Sequence, residues 1–247
     1  MAPRYEVIGL EGIAEVRAGE DLAALIVLAA TRQGTPLAPG DLVVVAQKIV
    51  SKAEGRVLDL STVTPSPVTT AFAAELGKDA RLVEVILREA RRVVRMDRGV
   101  LVTETHHGWI CANSGVDQSN VDLGWVVLPP VDPDRSAREL RDALRMRHGT
   151  QVGVIVTDTF GRPWREGLVN VAIGVSGLAP LLSYLGEPDS AGRPLQATIL
   201  ALADEVASAA ELVMGKLSRV PAAIVRGLRY APGEEGSKPL LDRKSVV

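Results

Sequence analysis

Residues 152–159 read VGVIVTDT: an apolar run from Val152 to Val156, broken only by Gly153, and then Thr157, Asp158 and Thr159. A short, nearly continuous β-branched run of this kind fits a strand buried on both faces. A second run, LVVVA at 42–46, follows the turn signals Pro36, Pro39 and Gly40. Buried strands need apolar layers against them, and helical periodicity supplies candidates. Residues 20–33 put Leu22, Leu25, Ile26 and Ala29 on one face before Gly34. A long helix is expected over 79–96, capped by Asp79, with Val83, Ile86, Ala90 and Val93 inward. Its other face carries Arg88, Arg91, Arg92 and Arg95 and reads as solvated. Ser136 and Glu139 form a capping box for a helix that closes at Gly149. Residues 198–214 align Ile199, Leu202, Val206, Ala209 and Val213.

Further strands are expected at 5–13, running into a loop at Gly9 and Gly12, and at 125–128 and 221–225. Strands at 100–103 and 109–112 make a hairpin around His106-His107-Gly108. Residues 61–70 (STVTPSPVTT) read as a surface loop. Strand and helix do not alternate regularly. The expected class is therefore α+β, with mixed and antiparallel sheets flanked by helices, rather than a doubly wound sheet. One domain over 1–247, with room for two intertwined subdomains, accommodates the length.

With a net charge of −2, the chain lacks the basic excess of a dedicated nucleic-acid binder. No apolar stretch reaches the ~18 residues of a membrane span, and no signal-peptide pattern opens the chain, so the cytoplasm is the expected location. The single cysteine, Cys111, rules out an intrachain disulfide; it lies in an apolar strand and reads as a core residue. His106, His107 and His148 lack zinc-ligand spacing and read as solvated or turn residues.

Four segments carry chemistry. Asp158, at the end of a buried strand, is held rigidly enough to be a ligand for a hard divalent ion, with Thr159 adding a hydroxyl; capping a turn is the competing role. Residues 113–120 (NSGVDQSN) set Asp117, Ser119 and Asn120 around Gly115, as a second ligand loop or a plain Asx-rich turn. In 46–55 (AQKIVSKAEG), Gln47, Lys48, Ser51 and Lys52 leave the other buried strand; they suit nucleotide phosphates or base, or form a solvated turn. Residues 160–167 (FGRPWREG) bring Arg162 and Arg165 next in sequence, forks suited to acidic groups, and Trp164 offers a ring for stacking or packing. The common phosphate-loop, dinucleotide and nucleophile-elbow patterns are absent.

Taken together, VVAQKIVSKAEG at 44–55 after Gly40-Asp41, NSGVDQSNV at 113–121, TDTFGRPWR at 157–165, AIGVSG at 172–177, ADEVASAAELVMGK at 203–216 and VRG at 225–227 resemble the coenzyme F420:L-glutamate ligases. The blocks occur in that family's order along almost the whole chain. The resemblance implies an unusual α+β fold and a homodimer. It implies a ligase that joins L-glutamate to the lactyl carboxylate of F420-0, a deazaflavin, with γ-linked extension and cleavage of GTP to GDP and phosphate. It implies two Mg²⁺ or Mn²⁺ ions, with K⁺ as a further cation, and no nucleic-acid or membrane partner. Residue by residue, it places Leu10, Glu11, Gly12 and Ile13, then Gln47, Lys48 and Lys52, then Asn120, and finally Met214, Gly215 and Lys216 against the nucleotide. Asp117, Asp158 and Thr159 match its metal ligands. Arg162 and Arg165 are expected at acidic substrate groups, without a motif to assign them. Lys216 is a departure, because some members carry an acidic metal ligand there. Another nucleotide, amino acid or modified deazaflavin on the same scaffold, or a deazaflavin-binding module without catalysis, stays open. A C-terminal flavin reductase domain, carried by some relatives, is not expected.

Overall fold

The computed structural model describes residues 3–97 and 99–242. In chain order the elements are β1 (Glu6–Gly9), α1 (Leu22–Arg32), β2 (Leu42–Ala46), α2 (Gln47–Ala53), β3 (Val57–Asp59), α3 (Pro67–Leu76), α4 (Ala80–Arg88), β4 (Ala90–Asp97), β5 (Val100–Thr105), β6 (Ile110–Ala112), β7 (Trp125–Val127), α5 (Pro133–His148), β8 (Gly153–Arg162), β9 (Arg165–Ser176), β10 (Leu182–Ser183), β11 (Ile199–Leu200), α6 (Leu202–Met214) and β12 (Ala222–Arg226).

The main sheet has the order β1-β12-β2-β8-β9, and only β2 and β8 run parallel. Both apolar runs are central strands, as their composition demands. Alternate side chains leave a strand on opposite faces. Val43, Val45, Val154 and Val156 therefore pack with Ile26 of α1 and Ala137 and Leu144 of α5. Leu42, Val44 and Ile155 pack on the other face with Val206, Ala210 and Met214 of α6. A third core joins α3 and α4 to β5 and β7 through Leu76, Val83, Ile86, Leu101 and Val126. Beside the main sheet stand three small ones, β4-β5-β6, β3-β7 and β10-β11. The architecture is α+β with mixed and antiparallel sheets, as read from the sequence.

Several boundaries differ. The helix expected over 79–96 stops at Arg88, and β4 follows. Adjacent Val93 and Val94 favour strand, and pairing with β5 satisfies the backbone that a helix would have satisfied. Val93 is exposed rather than inward. The arginines are surface residues with partners: Arg88 meets Glu84, and Arg91 and Arg92 share Glu104 across the sheet. Residues 61–70 are only partly loop, because Ser66 caps α3 and Pro67 is its first residue. Residues 47–53 form α2, not a turn.

Ser136 is not a cap. Asp132 caps α5 by accepting from Arg135 N, while the Ser136 hydroxyl reaches Glu54 and Asp132 O. The last helix begins at Leu202 rather than 198; Ile199 sits exposed in β11, and Ala210 takes the inward place expected of Ala209. No helix of the described residues is long and apolar enough to cross a membrane.

Candidate functional site

The site lies where the parallel pair ends. Ala46, the last residue of β2, is the Cα partner of Thr157 in β8. Beyond that point the chain after β2 turns away as α2, while β8 continues to Asp158. The carboxyl ends of parallel strands are natural clefts for ligands, because the neighbouring chains diverge there. A register shift against β9 between Val156 and Thr157 interrupts the ladder just before the carboxylate.

Asp158 is the most perturbed acid of the cleft. Burial pushes its carboxyl up to about 6, against the backbone N–H of Thr159; the neighbouring Asp117 charge adds to the rise, and Lys216 and Lys48 oppose it. Asp117 comes from the turn after β6, where β7 holds it through the pair Asp117 N to Val127 O, 3.0 Å, and Val127 N to Asp117 O, 2.8 Å. Burial raises its pKa too, but the Lys48 ammonium and the Ser119 N–H and hydroxyl outweigh burial and leave the carboxyl below its ordinary value. Lys48 Nζ stands 2.8 Å from Asp117 Oδ2 and 2.6 Å from Ser119 Oγ.

One turn further along α2, Lys52 is buried to 7 % exposure. It donates to the Glu15 carboxylate and, at 2.6 Å, to the Asn120 carbonyl. Asn120 holds a left-handed φ of 57°, which turns the chain back toward α2. Three segments far apart in sequence thus converge on two lysines.

Thr159 is held differently. It donates at 2.7 Å to Asn170 Oδ1, its cross-strand partner, and accepts from the Lys216 ammonium. Asn170 Nδ2 donates to Glu211 Oε2 at 2.7 Å, and Lys216 lies 3.5 Å from Glu211 Oε1. The residue expected to complete the metal site therefore belongs to a polar ring whose cation is Lys216.

The other expected site residues fall into two groups. Leu10 and Ile13 are core side chains, so only their backbone and the exposed Glu11 and Gly12 are presented outward; Glu11 N is held by Gln33. Met214 is likewise buried, with Gly215 ending α6 and Lys216 beyond it. Gln47 is buried and spends its amide on Ser51 Oγ and Leu128 O. Arg162 and Arg165 lie at the tip of the β8–β9 hairpin. Arg162 donates to Glu166 O at 2.6 Å, Arg165 is exposed, and neither has a contact with the acidic pair. Trp164, at the same tip, is fully exposed among the described residues. Glu15, Asn170 and Glu211 escaped the sequence reading. Only Asn170 left a signal there, as a polar residue inside the apolar run of β9.

Cys111 is half-buried rather than core, and its thiol is pushed up to about 12 by burial and the Asp158 charge, so it stays protonated. His106 and His107 do occupy the β5–β6 turn. His107, however, is largely buried, stacked on Trp109 with ring centroids 4.2 Å apart and bonded to the Pro130 carbonyl. The His148 side chain lies outside the described part of the structure.

Among the described residues no cluster of three or more His, Cys, Asp or Glu side chains forms a complete metal cage. The donor set at the cleft is two carboxylates. That fits a hard ion such as Mg²⁺ or Mn²⁺, which keeps few protein ligands and takes the remainder from phosphate and water.

A family model described as F420-0:Gamma-glutamyl ligase matches residues 12–227. Proteins named coenzyme F420:L-glutamate ligase are similar over nearly the full length. The one from Methanopyrus kandleri is 51% identical over 227 residues, covering 92% of this chain and 87% of its own. The one from Methanothermobacter thermautotrophicus is 46% identical over 238 residues, covering 95% and 94%. That of Methanocaldococcus jannaschii is 40% identical over 242 residues, covering 98% and 95%. With an acidic pair and two lysines gathered in one cleft inside the matched region, the chain belongs to the F420-0:gamma-glutamyl ligase family.

Proposed function

We propose that this chain is a GTP-dependent ligase that forms an amide between the lactyl carboxylate of F420-0 and the amine of L-glutamate, releasing GDP and phosphate. The observation that carries the reading is the convergence of Asp117 and Asp158 with Lys48 and Lys52 at the end of the parallel strands. Its support is the family and the names of its relatives.

A carboxylate is a poor acyl donor. Its oxygen attacks the γ-phosphorus of GTP, the bond to the β–γ bridging oxygen breaks, and GDP leaves with that electron pair. The glutamate nitrogen then attacks the acyl carbon, phosphate departs, and the amine proton passes to solvent or base. A divalent ion held by Asp117 and Asp158 would neutralise charge on the phosphate oxygens. Lys52 and Lys48 counter the polyphosphate as fixed point charges. Lys216, already on the Thr159 hydroxyl, supplies a positive charge where some relatives place an acidic ligand. The exposed apolar side chains Trp164, Leu168, Leu212 and Leu217 are the support for a homodimer.

The test is mass spectrometry of F420-0 incubated with the protein, L-glutamate, GTP and Mn²⁺ or Mg²⁺. A product heavier by glutamyl units and absent without GTP is the expected result. Product formed equally well with ATP, or with a different amino acid, moves the assignment to other substrates. Tight F420-0 binding without nucleotide hydrolysis makes the chain a binding module.

A further inference from the structure

A cavity of about 470 Å³ opens between α4 and the 113–119 turn, a size typical of small-molecule sites. Its walls include Lys78, Leu82, Ile86, Asn113 and Val116, and it shares Asp117 with the acidic pair. None of the residues expected at the nucleotide between Leu10 and Lys52, nor Asn120, Met214, Gly215 or Lys216, lines it.

Two of its polar side chains have an atom without a partner among the described residues. Lys78 follows Gly77, the left-handed cap of α3, and its N–H is tied at 3.0 Å to Ala73 O, so its backbone is fixed. Lys78 as a residue is partly buried, and among the described residues its ammonium has neither an ion pair nor a hydrogen bond. Asn113 likewise makes no side-chain hydrogen bond, and its Oδ1 is buried without a partner. A buried polar atom without a partner, such as Asn113 Oδ1, is rare and calls for an explanation.

The backbone that presents Asn113 is itself costly. Asn113 and Ser114 are consecutive non-glycine residues at φ of 52° and 54°. The turn is held there by Ser114 Oγ donating to Ile86 O at 2.8 Å and Ser114 N donating to Thr103 Oγ1 at 3.0 Å. A strained turn pinned from two sides and carrying an unused amide is a scaffold for something that binds.

Phosphoryl transfer sets the remaining requirement. The attacking carboxylate approaches the γ-phosphorus opposite the bridging oxygen, so the acceptor needs room of its own that meets the nucleotide site at one shared point. Asp117 is that point. L-glutamate is too small to fill the cavity or to use its apolar wall.

We propose that this cavity is the acceptor subsite, taking the deazaflavin carboxylic acid with Lys78 against an anionic group, Asn113 against a polar group and Leu82, Ile86 and Val116 beneath apolar surface, so that the reacting carboxylate is delivered at Asp117. The assignment rests on the ligase reading above and adds the place where the acceptor sits.

The experiment measures F420-0 binding by calorimetry, and KM for each of the three substrates, in the wild type, Lys78→Gln and Gln118→Trp. Gln118 is an exposed wall residue, and the indole fills the space without entering the core. Melting temperatures check that both variants stay folded. Acceptor binding should weaken roughly tenfold or more in each variant, with KM for GTP and glutamate unchanged. Unaltered F420-0 binding in both variants overturns the assignment, as does a loss confined to glutamate or GTP. If the wild type fails to bind F420-0, the ligase reading falls and this assignment with it. If it binds F420-0 but does not use GTP, the nucleotide choice falls, or catalysis with it if no nucleotide is hydrolysed, and the variants still decide the cavity.

Discussion

Replacing Asp158 with asparagine should change stability in opposite directions with and without metal, because the carboxylate is badly placed for folding and well placed for a cation. Its pKa rises from an ordinary 3.8 to about 6 in the folded chain. An acid with a raised folded pKa makes stability fall as pH rises from about 4 through about 6, since the native state holds a proton that the unfolded state has released. The full shift corresponds to ~3 kcal/mol, and partial exposure of the side chain trims this to ~1–2 kcal/mol. In EDTA at pH 7.5, Asp158→Asn should therefore be the more stable protein, melting ~2–8 °C higher for a chain of this size. At pH 4 the two should coincide.

Adding Mn²⁺ and GTP reverses the order. A ligand at 100 times its Kd stabilises the wild type by about 2.7 kcal/mol, while the variant gains little and has no turnover. The assay is urea or thermal unfolding at pH 4, 6 and 7.5, with EDTA or with Mn²⁺ and GTP. A variant no more stable than the wild type in EDTA at pH 7.5 refutes the desolvation argument. Normal turnover at limiting metal removes Asp158 from the ion.

Other consequences are simpler. Lys52→Ala removes the ammonium between Glu15 and Asn120 O; KM for GTP should rise roughly tenfold with KM for glutamate unchanged, as steady-state kinetics will show. Asp134 accepts from the buried Val175 N at 2.9 Å and from Ser237 N at 2.7 Å in the first turn of α5. Asp134→Ala strands both donors and should cost ~3–5 kcal/mol, read as a lower urea midpoint with an unchanged slope. Glu84 accepts from Ser66 N, the Thr69 hydroxyl and Arg88, which hold its carboxyl down at about 2. Its contribution is complete above about pH 4.5 and is lost as pH falls toward 2, so the stability gap to Glu84→Gln should be widest at neutral pH and close below pH 3. A gap that ignores pH would show that these bonds do not favour the charged form.

The two apolar runs could be read as central strands because a strand buried on both faces admits few polar residues, and both have that composition. Asp158 was legible as the first charged residue after such a run, but the strand expected to end there continues to Arg162, because β9 goes on pairing with it. The stretch 79–96 misled because its first half is amphipathic at helical spacing and its second half, with adjacent valines and interleaved arginines, is compatible with either state. Only the partner strand β5 decides it. The capping box at Ser136 is a local pattern overruled by Asp132, which caps the helix one turn earlier.

Composition, periodicity and six ordered motifs by themselves pointed to the fold class, the central strands and the family, because each of these signals is carried by residues close together in the chain; they singled out Asp117 and Asp158 separately, without showing that the two meet. Tertiary structure alone decided that Glu15 reaches Lys52, that Lys216 takes the Thr159 hydroxyl, and that a cavity with an unpaired lysine and an unused amide opens beside Asp117. Those contacts join residues tens of positions apart, and no local periodicity encodes which side chains meet when separate elements pack.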